Sequence, residues 1–240
     1  MAQSVLPEVA LYLIPVQLSD VELEMVLPQA NLQVVMHIKH FIVENLRSAR
    51  RFLKKCNHSI DIDSLTFYEL NRHTKPEDIP EMLTPLINGE AIGVISEAGC
   101  PAIADPGADV VAIAQSRGLK VKPLVGPSSI LMGLMGSGFN GQSFTFLGYL
   151  PIDATQRSRK LKEMEQRIMR ENQTQIFIET PYRNNALVSE ICKVMPPHIK
   201  LCIATDITGE GESIITRGVK QWLKHLPDLN KVPTIFLLYK

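Results

Sequence analysis

Three loops of small residues are the stretches of this 240-residue chain whose composition suits the binding of another molecule. They are Ser96–Pro101, Asp105–Gly107 and Gly126–Ser129, and the first and last follow apolar runs of strand length. Glycine and other small residues let a ligand come close to the backbone. Such loops can receive an uncharged face, for instance that of an adenosine, through main-chain N–H and C=O groups. The same residues also suit ordinary turns and helix caps, and their spacing leaves both interpretations open.

Acidic residues and histidines form two further candidate clusters. Asp206, Glu210 and Glu212 follow an apolar run and could supply a base, a substrate clamp or only a solvated loop. His37 and His40 have the spacing of a metal-binding pair, but no acidic or thiol partner lies near them. A zinc site would need two more ligands, so no metal ion is expected.

The first strand-to-helix turn, Pro15–Asp20, contains no glycine. Dinucleotide sites need a glycine-rich turn at this place, because the pyrophosphate must reach the helix N-terminus. The chain also lacks a GxxxxGK[ST] loop and a GxSxG nucleophile motif. The absence of both phosphate-binding loops argues against enzymes that use nicotinamide cofactors or nucleoside triphosphates.

The composition of the chain further limits the classes of protein to which it can belong. Twenty-five basic residues balance 25 acidic ones, so the whole chain carries no electrostatic signature for nucleic acid or anionic membrane. The four cysteines are scattered and form no CxxC pair. With no signal-like segment at the start, they predict reduced thiols in a cytoplasmic protein. The longest apolar runs are too short to span a bilayer.

Strand-sized apolar runs alternate with helical patterns in both halves of the chain. This alternation predicts an α/β fold with two α/β domains and mostly parallel sheets. The break near Gly126-Pro127 divides the chain into an N-terminal domain, 1–125, and a C-terminal domain, 126–240. The predicted strands are 9–15, 40–44, 64–69, 91–95, 119–125, 143–150, 175–179, 199–207 and 232–239.

Polar residues at the starts of the helical patterns predict where the helices begin. Asp105 is a predicted N-cap with Pro106 at the first helical position. Ser19 and Glu22 fit a capping box, which predicts a helix from 20 to 27. Other predicted helices are 76–88 and those that follow the caps Asn45, Ser128 and Asp153.

Four segments, in order along the chain, resemble the tetrapyrrole (corrin/porphyrin) methylase family of methyltransferases that use S-adenosyl-L-methionine. The segment 96–107, SEAGCPAIADPG, resembles the motif SDAGTPxIxDPG of the branch that methylates a cytidine ribose 2′-oxygen in bacterial small-subunit ribosomal RNA. The segments 124–129, 146–151 and 176–183 are similar to PLPGPCA, GFLP and FYESxHR of that branch.

The resemblance implies two unequal α/β domains with the cofactor in the cleft between them, and a homodimer. If the motif positions of the family are carried over, the cofactor would lie against the segment 96–107 and the loop at 128–129. Residue 179 and the segment 206–208 would also contact it. The first turn, Pro15–Asp20, would face the methyl group and the acceptor. The implied cofactor contacts are Leu18, Ala98, Gly99, Cys100, Ile103, Ser128, Ser129, Glu179 and Ile207.

Methyl transfer from a sulfonium needs alignment of donor, methyl and acceptor more than side-chain chemistry. A ribose hydroxyl would also need a base, for which Glu44, Glu179 and Asp206 are the candidate carboxylates. The first turn departs from the PTPIGN-like turn of the ribosomal branch, at a position that faces the acceptor. Three functions therefore stay open: an RNA methyltransferase, a methyltransferase for a tetrapyrrole or another small metabolite, and a cofactor-binding protein without catalysis.

Overall fold

The computed structural model describes residues 8–240 of the chain. The fold divides into two compact units, of which the first ends at Pro127 and the second is Ser128–Lys240. This division lies close to the boundary at 125/126, and the assignment of the two halves as separate domains stays a prediction. Among residues 8–240, none of the helices combines the length and the apolar character needed to cross a bilayer.

The first unit is built on a five-stranded sheet in which neighbouring strands are all parallel. The order across the sheet is β3-β2-β4-β1-β5. Parallel strands finish at the same edge, and Ile14 and Val43 both pair with Ile95 there. The strands are β1 (Leu11–Ile14), β2 (His40–Val43), β3 (Thr66–Glu69), β4 (Ile92–Ile95) and β5 (Val121–Pro123).

Helices cover both faces of this sheet, because alternate strand residues point to opposite sides. Leu13 and Val94 belong to a buried cluster with residues of α4 and of the 3-10 segment Pro76–Leu83. Ile14 and Phe41 belong to a second cluster with residues of α2. The helices of this unit are α1 (Gln29–Val35), α2 (Leu46–Cys56), α3 (Thr84–Ile87) and α4 (Gly107–Ser116), and shorter 3-10 turns lie at Leu23–Met25 and Ile62–Ser64.

Two helix predictions in this unit were wrong, one just after the first turn and one around Pro80. The capping box at Ser19 and Glu22 does not start a helix over 20–27, since Glu22 is extended and its side chain makes no cap hydrogen bond. Helix α1 begins instead after Pro28, where the missing proline N–H costs nothing. The segment predicted as one helix over 76–88 is a 3-10 segment that contains Pro80, followed by the single turn α3.

The second unit holds a mixed sheet with the order β6-β7-β10-β8-β9. Only β6 and β7 are parallel, and the other three pairings are antiparallel. The short loop between β8 and β9 forces them to be antiparallel, because a parallel pair needs a long crossover. The elements are α5 (Ser129–Ser137), β6 (Phe144–Tyr149), α6 (Ala154–Glu171), β7 (Thr174–Ile178), α7 (Asn184–Val194), β8 (Lys200–Thr205), β9 (Ser213–Gly218), α8 (Val219–Lys224) and β10 (Thr234–Tyr239).

The α/β fold class is therefore confirmed, and five of the eight strand pairings in the described part of the chain are parallel. The parallel pairings are concentrated in the first unit. Its carboxyl edge consequently gathers the loops that follow β1, β2, β4 and β5.

The core of the second unit is centred on two aromatic rings from adjacent strands. Phe177 and Phe236 are fully buried, and their ring centroids stack 5.6 Å apart. Leu161, Met164 and Ile168 cover them from α6 at helical spacing. The stacked pair therefore joins the sheet to its helical layer.

Replacement of Phe236 by alanine should lower the free energy of unfolding by about 3–5 kcal/mol, because a fully buried ring leaves a cavity. Urea denaturation followed by circular dichroism measures this change. Phe144→Ala is the matched control, since that ring is 38% exposed and should cost much less. Equal losses for the two variants would contradict the assignment of the core.

Candidate functional site

The carboxyl edge of the first sheet brings together most of the residues that the sequence singled out in the N-terminal half. Pro15–Asp20 follows β1, Glu44 follows β2, Ser96–Pro101 follows β4 and Leu124–Pro127 follows β5. In open α/β sheets this edge is where ligands bind.

The bend at Ser96–Pro101 is tied to the first turn by a short antiparallel bridge. Gly99 N–H donates to the Val16 carbonyl at 3.1 Å, and Val16 N–H donates to the Gly99 carbonyl at 2.9 Å. Gly99 has φ +70°, and a Cβ on it would lie 3.1 Å from Leu18 Cδ2. Gly99 therefore shapes the bend, and its N–H is used by Val16, whereas its carbonyl oxygen keeps a second lone pair.

The residues around Gly99 differ in how far they are accessible. Ala98 is exposed, and the Ile103 side chain is 52% exposed. Cys100 is half-buried, and its Sγ–H lies 3.4 Å from the Pro127 carbonyl oxygen as a weak donor. Burial raises the pKa of the Cys100 thiol, which disfavours a thiolate nucleophile at neutral pH. Ala98 and Ile103 are thus the predicted contacts with accessible side chains.

Asp105 organises the loop that leads into α4. Its Oδ1 accepts hydrogen bonds from Gly107 N–H at 2.7 Å and from Ala102 N–H at 3.0 Å. Ala102 and Ala104 have φ values of 66° and 60°, a left-handed conformation that is strained for alanine. The helix starts at Gly107 rather than at Pro106, but the Asp105 side chain still satisfies an N–H of its first turn.

The loop after β5 packs directly on the first turn. A Cβ on Gly126 would lie 2.5 Å from Pro15 Cγ, well inside van der Waals contact. The buried Asn31 side chain of α1 donates to the Val125 carbonyl at 2.7 Å and holds this loop in place. Close approach of the two loops therefore requires glycine at position 126.

Glu44 is a half-buried carboxyl group at the end of β2, and two other carboxylates act on it. Burial raises the pKa of Glu44, and the negative charges of Glu97 and Asp105 raise it further. Burial also raises the pKa of Asp105, against the hydrogen bonds that it accepts. Within residues 8–240, Glu44 makes no side-chain hydrogen bond or ion pair. It is therefore the candidate base with unoccupied carboxylate oxygens.

A cleft with a volume of about 380 Å³ opens between the first turn and α2. We call it the first-turn cleft. Glu97 lies on its wall and accepts a hydrogen bond from Ser48 Oγ at 3.0 Å. The Gln17 side-chain oxygen is buried and has no hydrogen-bond partner among the described residues. The cleft is lined by Val16, Gln17, Leu18, Ser19, Asp20, Ser48, Arg51, Phe52, Lys55, Ile95, Ser96 and Glu97.

Sequence reasoning missed the contribution of α2 to this cleft. The prediction placed a basic helix after Asn45, and the Asn45 side chain does cap α2 by accepting from Ser48 N–H at 3.1 Å. The residue pattern alone does not indicate that Ser48, Arg51 and Lys55 face the first turn. The available signal was the parallel order itself, since a helix after β2 starts at the edge where β1 ends.

In the second unit, the predicted residues near 179 and 206 lie at one end of the sheet. Strands β7 and β8 both run antiparallel to β10, so both finish where β10 begins. Asp206 N–H donates to the Pro233 carbonyl at 3.0 Å, and Asn184 Nδ2 donates to the Val232 carbonyl at 2.9 Å. The two loops therefore flank the same segment before β10.

The carboxylates of this unit are already engaged. Glu179 is 7% exposed, and its Oε1 accepts from Thr180 N–H at 2.6 Å and from Arg183 Nε at 3.0 Å. Asp206 has φ +45°, and its Oδ2 accepts from Gly211 N–H at 2.9 Å. Both are hydrogen-bonded, which makes them weaker candidates for a base than Glu44.

The remaining predicted contacts of this unit are Ser128, Ser129 and Ile207. Ser128 is the N-cap of α5, but its side chain makes no capping hydrogen bond. Ser128 and Ser129 are half-buried, whereas Ile207 is 5% exposed. The serine hydroxyls are thus at the start of a helix and are not used to cap it.

The sequence is similar to curated bacterial proteins named ribosomal RNA small subunit methyltransferase I. The relative from Vibrio cholerae is 29% identical over 204 residues, which are 85% of this chain and 67% of the relative. The relative from Pasteurella multocida is 30% identical over 175 residues, which are 72% of this chain and 61% of the relative. The chain spans about two thirds or less of the length of these curated relatives.

The fold is similar to that of solved methyltransferases. The methyltransferase CobJ matches with a TM-score of 0.60 and 12% identity, over 90% of this chain and 89% of that chain. Uroporphyrin-III C-methyltransferase from Thermus thermophilus, solved with S-adenosylhomocysteine, matches with a TM-score of 0.55 and 14% identity, over 96% of this chain and 97% of that chain. No protein-family model matches the chain. The chain has the tetrapyrrole methylase fold.

This fold is what the resemblance of the segment 96–107 implied. That segment forms the bend, the strained loop and the start of α4 at the carboxyl edge of the first sheet. The roles of individual residues toward a cofactor or an acceptor stay predictions.

Gly126→Ala should destabilise the protein by about 1–3 kcal/mol, because the added methyl group overlaps the Pro15 ring. Thermal and urea unfolding measure the loss. Gly141→Ala is the control, since a Cβ at that glycine meets no atom within 4 Å. If both variants unfold like the wild type, the close approach of the two loops is incorrect.

Glu44→Gln should make the folded protein more stable at neutral pH and leave its stability unchanged in acid. The pKa of Glu44 is raised in the folded chain, so the contribution of this carboxyl to stability is full below its ordinary pKa of 4.5 and is lost as the pH rises through the raised value. Glutamine stays neutral and avoids that loss.

Urea unfolding in acid and at neutral pH measures this difference. Glu77→Gln is the control, because the Glu77 side chain is exposed. A lower stability of Glu44→Gln at neutral pH would contradict the unfavourable electrostatics assigned to Glu44.

Proposed function

We propose that this protein is an S-adenosylmethionine-dependent methyltransferase that methylates a ribose 2′-oxygen of small-subunit ribosomal RNA. The observation that carries the proposal is the likeness to relatives named ribosomal RNA small subunit methyltransferase I, which extends over 85% of the chain for the relative from Vibrio cholerae. We further propose a homodimer that works in the cytoplasm.

The bend at Ser96–Pro101 fits a bound adenosyl group. Gly99 adds no side chain, Ala98 is small and exposed, and Ile103 presents an accessible apolar surface. Leu18 lies against Gly99 and completes this surface from the first turn. In the second unit the proposed contacts are Ser128, Ser129, Glu179 and Ile207. When bound, S-adenosylmethionine supplies an electrophilic methyl group on sulfur.

The protein residues have three tasks in such a reaction. The bend and the first turn hold the donor and the acceptor in line, which lowers the barrier by removing translational freedom before the reaction. The apolar contacts exclude water from the reacting atoms. Glu44 would take the proton of the ribose 2′-hydroxyl, while the bound cofactor would supply the methyl group and keep the electron pair of its methyl–sulfur bond.

Glu44 suits this last role because its environment moves its pKa toward neutral pH. A carboxylate with an ordinary pKa is a weak base, and burial beside Glu97 and Asp105 strengthens it. Glu179 is held by Arg183 and Asp206 by Gly211, so neither is as free to take a proton.

The second candidate is a methyltransferase that acts on a tetrapyrrole or another small metabolite. The equal numbers of acidic and basic residues favour it, as does the fold likeness to a uroporphyrin-III C-methyltransferase. A carbon nucleophile on such a ring would need less help from a base. The third candidate binds the cofactor without catalysis.

Transfer of tritiated methyl groups tests the proposal. The purified protein should label small ribosomal subunits from a strain that lacks the gene, and the label should map to a ribose by nuclease digestion and mass spectrometry. Glu44→Gln should lower kcat by about 10²–10⁴-fold, the usual contribution of a general base. Its affinity for S-adenosylmethionine in calorimetry should not change, and Glu77→Gln should behave as the wild type.

The other results separate the candidates. If the protein binds S-adenosylmethionine but transfers no label to RNA, RNA is not the methyl acceptor. Label in a tetrapyrrole would support the second candidate. No binding of S-adenosylmethionine would exclude all three.

A further inference from the structure

Helix α2 carries a strong local charge in a chain that is neutral as a whole. It holds five cationic side chains and no carboxylate, whereas the complete sequence has 25 basic and 25 acidic residues. Arg47, Arg51 and Lys55 are spaced by four residues, which places them along one side of the helix about 6 Å apart along its axis. We call this row the basic face.

Three of the five cations of α2 are engaged within the fold. Lys55 forms an ion pair with Asp20, and Lys54 donates to the carbonyls of His58 and Ile60 at 3.0 and 2.7 Å. The Arg50 guanidinium lies 5.6 Å from the centre of the Phe67 ring.

Arg47 and Arg51 are the exception. Both are exposed, and neither makes a hydrogen bond or an ion pair with any residue in the range 8–240. Helix α6 differs in that it carries glutamates of its own, and Lys160 and Arg167 pair with one of them, Glu163. Two adjacent arginines therefore leave their charge available to an anion.

The basic face begins beside the proposed base. Arg47 is three residues beyond Glu44, and Arg51 and Lys55 line the first-turn cleft. Asp20 also acts on Arg51 electrostatically, but its ion pair is with Lys55, and the Glu97 carboxylate accepts a hydrogen bond from Ser48 rather than from Arg51. A polyanion that lies along α2 would thus pass from the cleft to the neighbourhood of Glu44.

We propose that Arg47 and Arg51 bind consecutive phosphates of the RNA strand that carries the methylated ribose. This inference rests on the proposed function and names the surface that holds its substrate. A strand fits better than a compact anion, because the three cations span about 12 Å along the helix axis. Arginine suits the role, since its guanidinium stays charged and can make paired hydrogen bonds to phosphate oxygens.

The test is the double variant Arg47→Gln with Arg51→Gln. Its affinity for a short fluorescent single-stranded RNA should fall by about tenfold, and the slope of log K against log salt should shrink by about 1.4, since each lost phosphate contact on a single strand accounts for about 0.7. The KM for small-subunit RNA should rise in parallel, while kcat and the affinity for S-adenosylmethionine should not change.

Two further variants exclude a structural explanation. Arg159→Gln with Arg170→Gln removes the same charge from exposed positions on α6 and should leave the affinity and the salt slope unchanged. Arg47→Lys with Arg51→Lys keeps the charge and should restore most of the slope. Thermal unfolding of each variant checks that the fold is intact.

The outcomes separate this inference from the proposed function. If the double variant keeps the wild-type salt slope while methyl transfer to RNA proceeds, the basic face does not bind the RNA phosphates. The proposed function is then retained. If the slope decreases as expected but no methyl group reaches RNA, the basic face does bind RNA. The proposed methyl acceptor is then incorrect. If the wild-type protein has no salt-dependent affinity for RNA, both are overturned.

Discussion

The two main-chain hydrogen bonds between Val16 and Gly99 are the interaction on which the candidate site depends. They join the loop after β1 to the loop after β4, so that two segments far apart in sequence form one surface. Gly99 can take part because its φ of +70° is easily reached without a side chain. Gly126 extends the arrangement by letting a third loop pack on Pro15. The shape of the surface thus comes from backbone pairing at the edge of a rigid parallel sheet.

Electrostatics then divides this edge into two regions. Glu44, Glu97 and Asp105 place negative charge at the ends of β2 and β4, and burial keeps the pKa of Glu44 high. Arg47 and Arg51 lie just beyond, on the exposed side of α2. A proposed base with a raised pKa, followed by two cations without an ion pair in the range 8–240, suits an anionic acceptor whose hydroxyl group must lose a proton. The neutral overall charge of the chain conceals this local polarity.

Local patterns predicted many of the elements because their causes are local. Asn45 and Asp153 cap the helices that they were expected to start, since a side-chain oxygen and a nearby N–H need no distant partner. The same reasoning failed at Ser19 and Glu22, where the chain leaves β1 in an extended conformation and crosses to Gly99 before it turns. There the tertiary bridge outweighed a capping preference that is worth only about 1 kcal/mol.

The sequence by itself determined the α/β class, and its motif order predicted the tetrapyrrole methylase fold, because apolar period, small residues and motif order are all encoded along the chain. The tertiary structure alone decided that α2 lines the first-turn cleft, that Gly99 and Val16 pair through their main chains, and that Glu44 finds no side-chain partner within residues 8–240. These facts depend on which strands are neighbours and on which atoms meet across loops. Strand order and atomic contact are set by packing of the whole sheet, which no local pattern of residues contains.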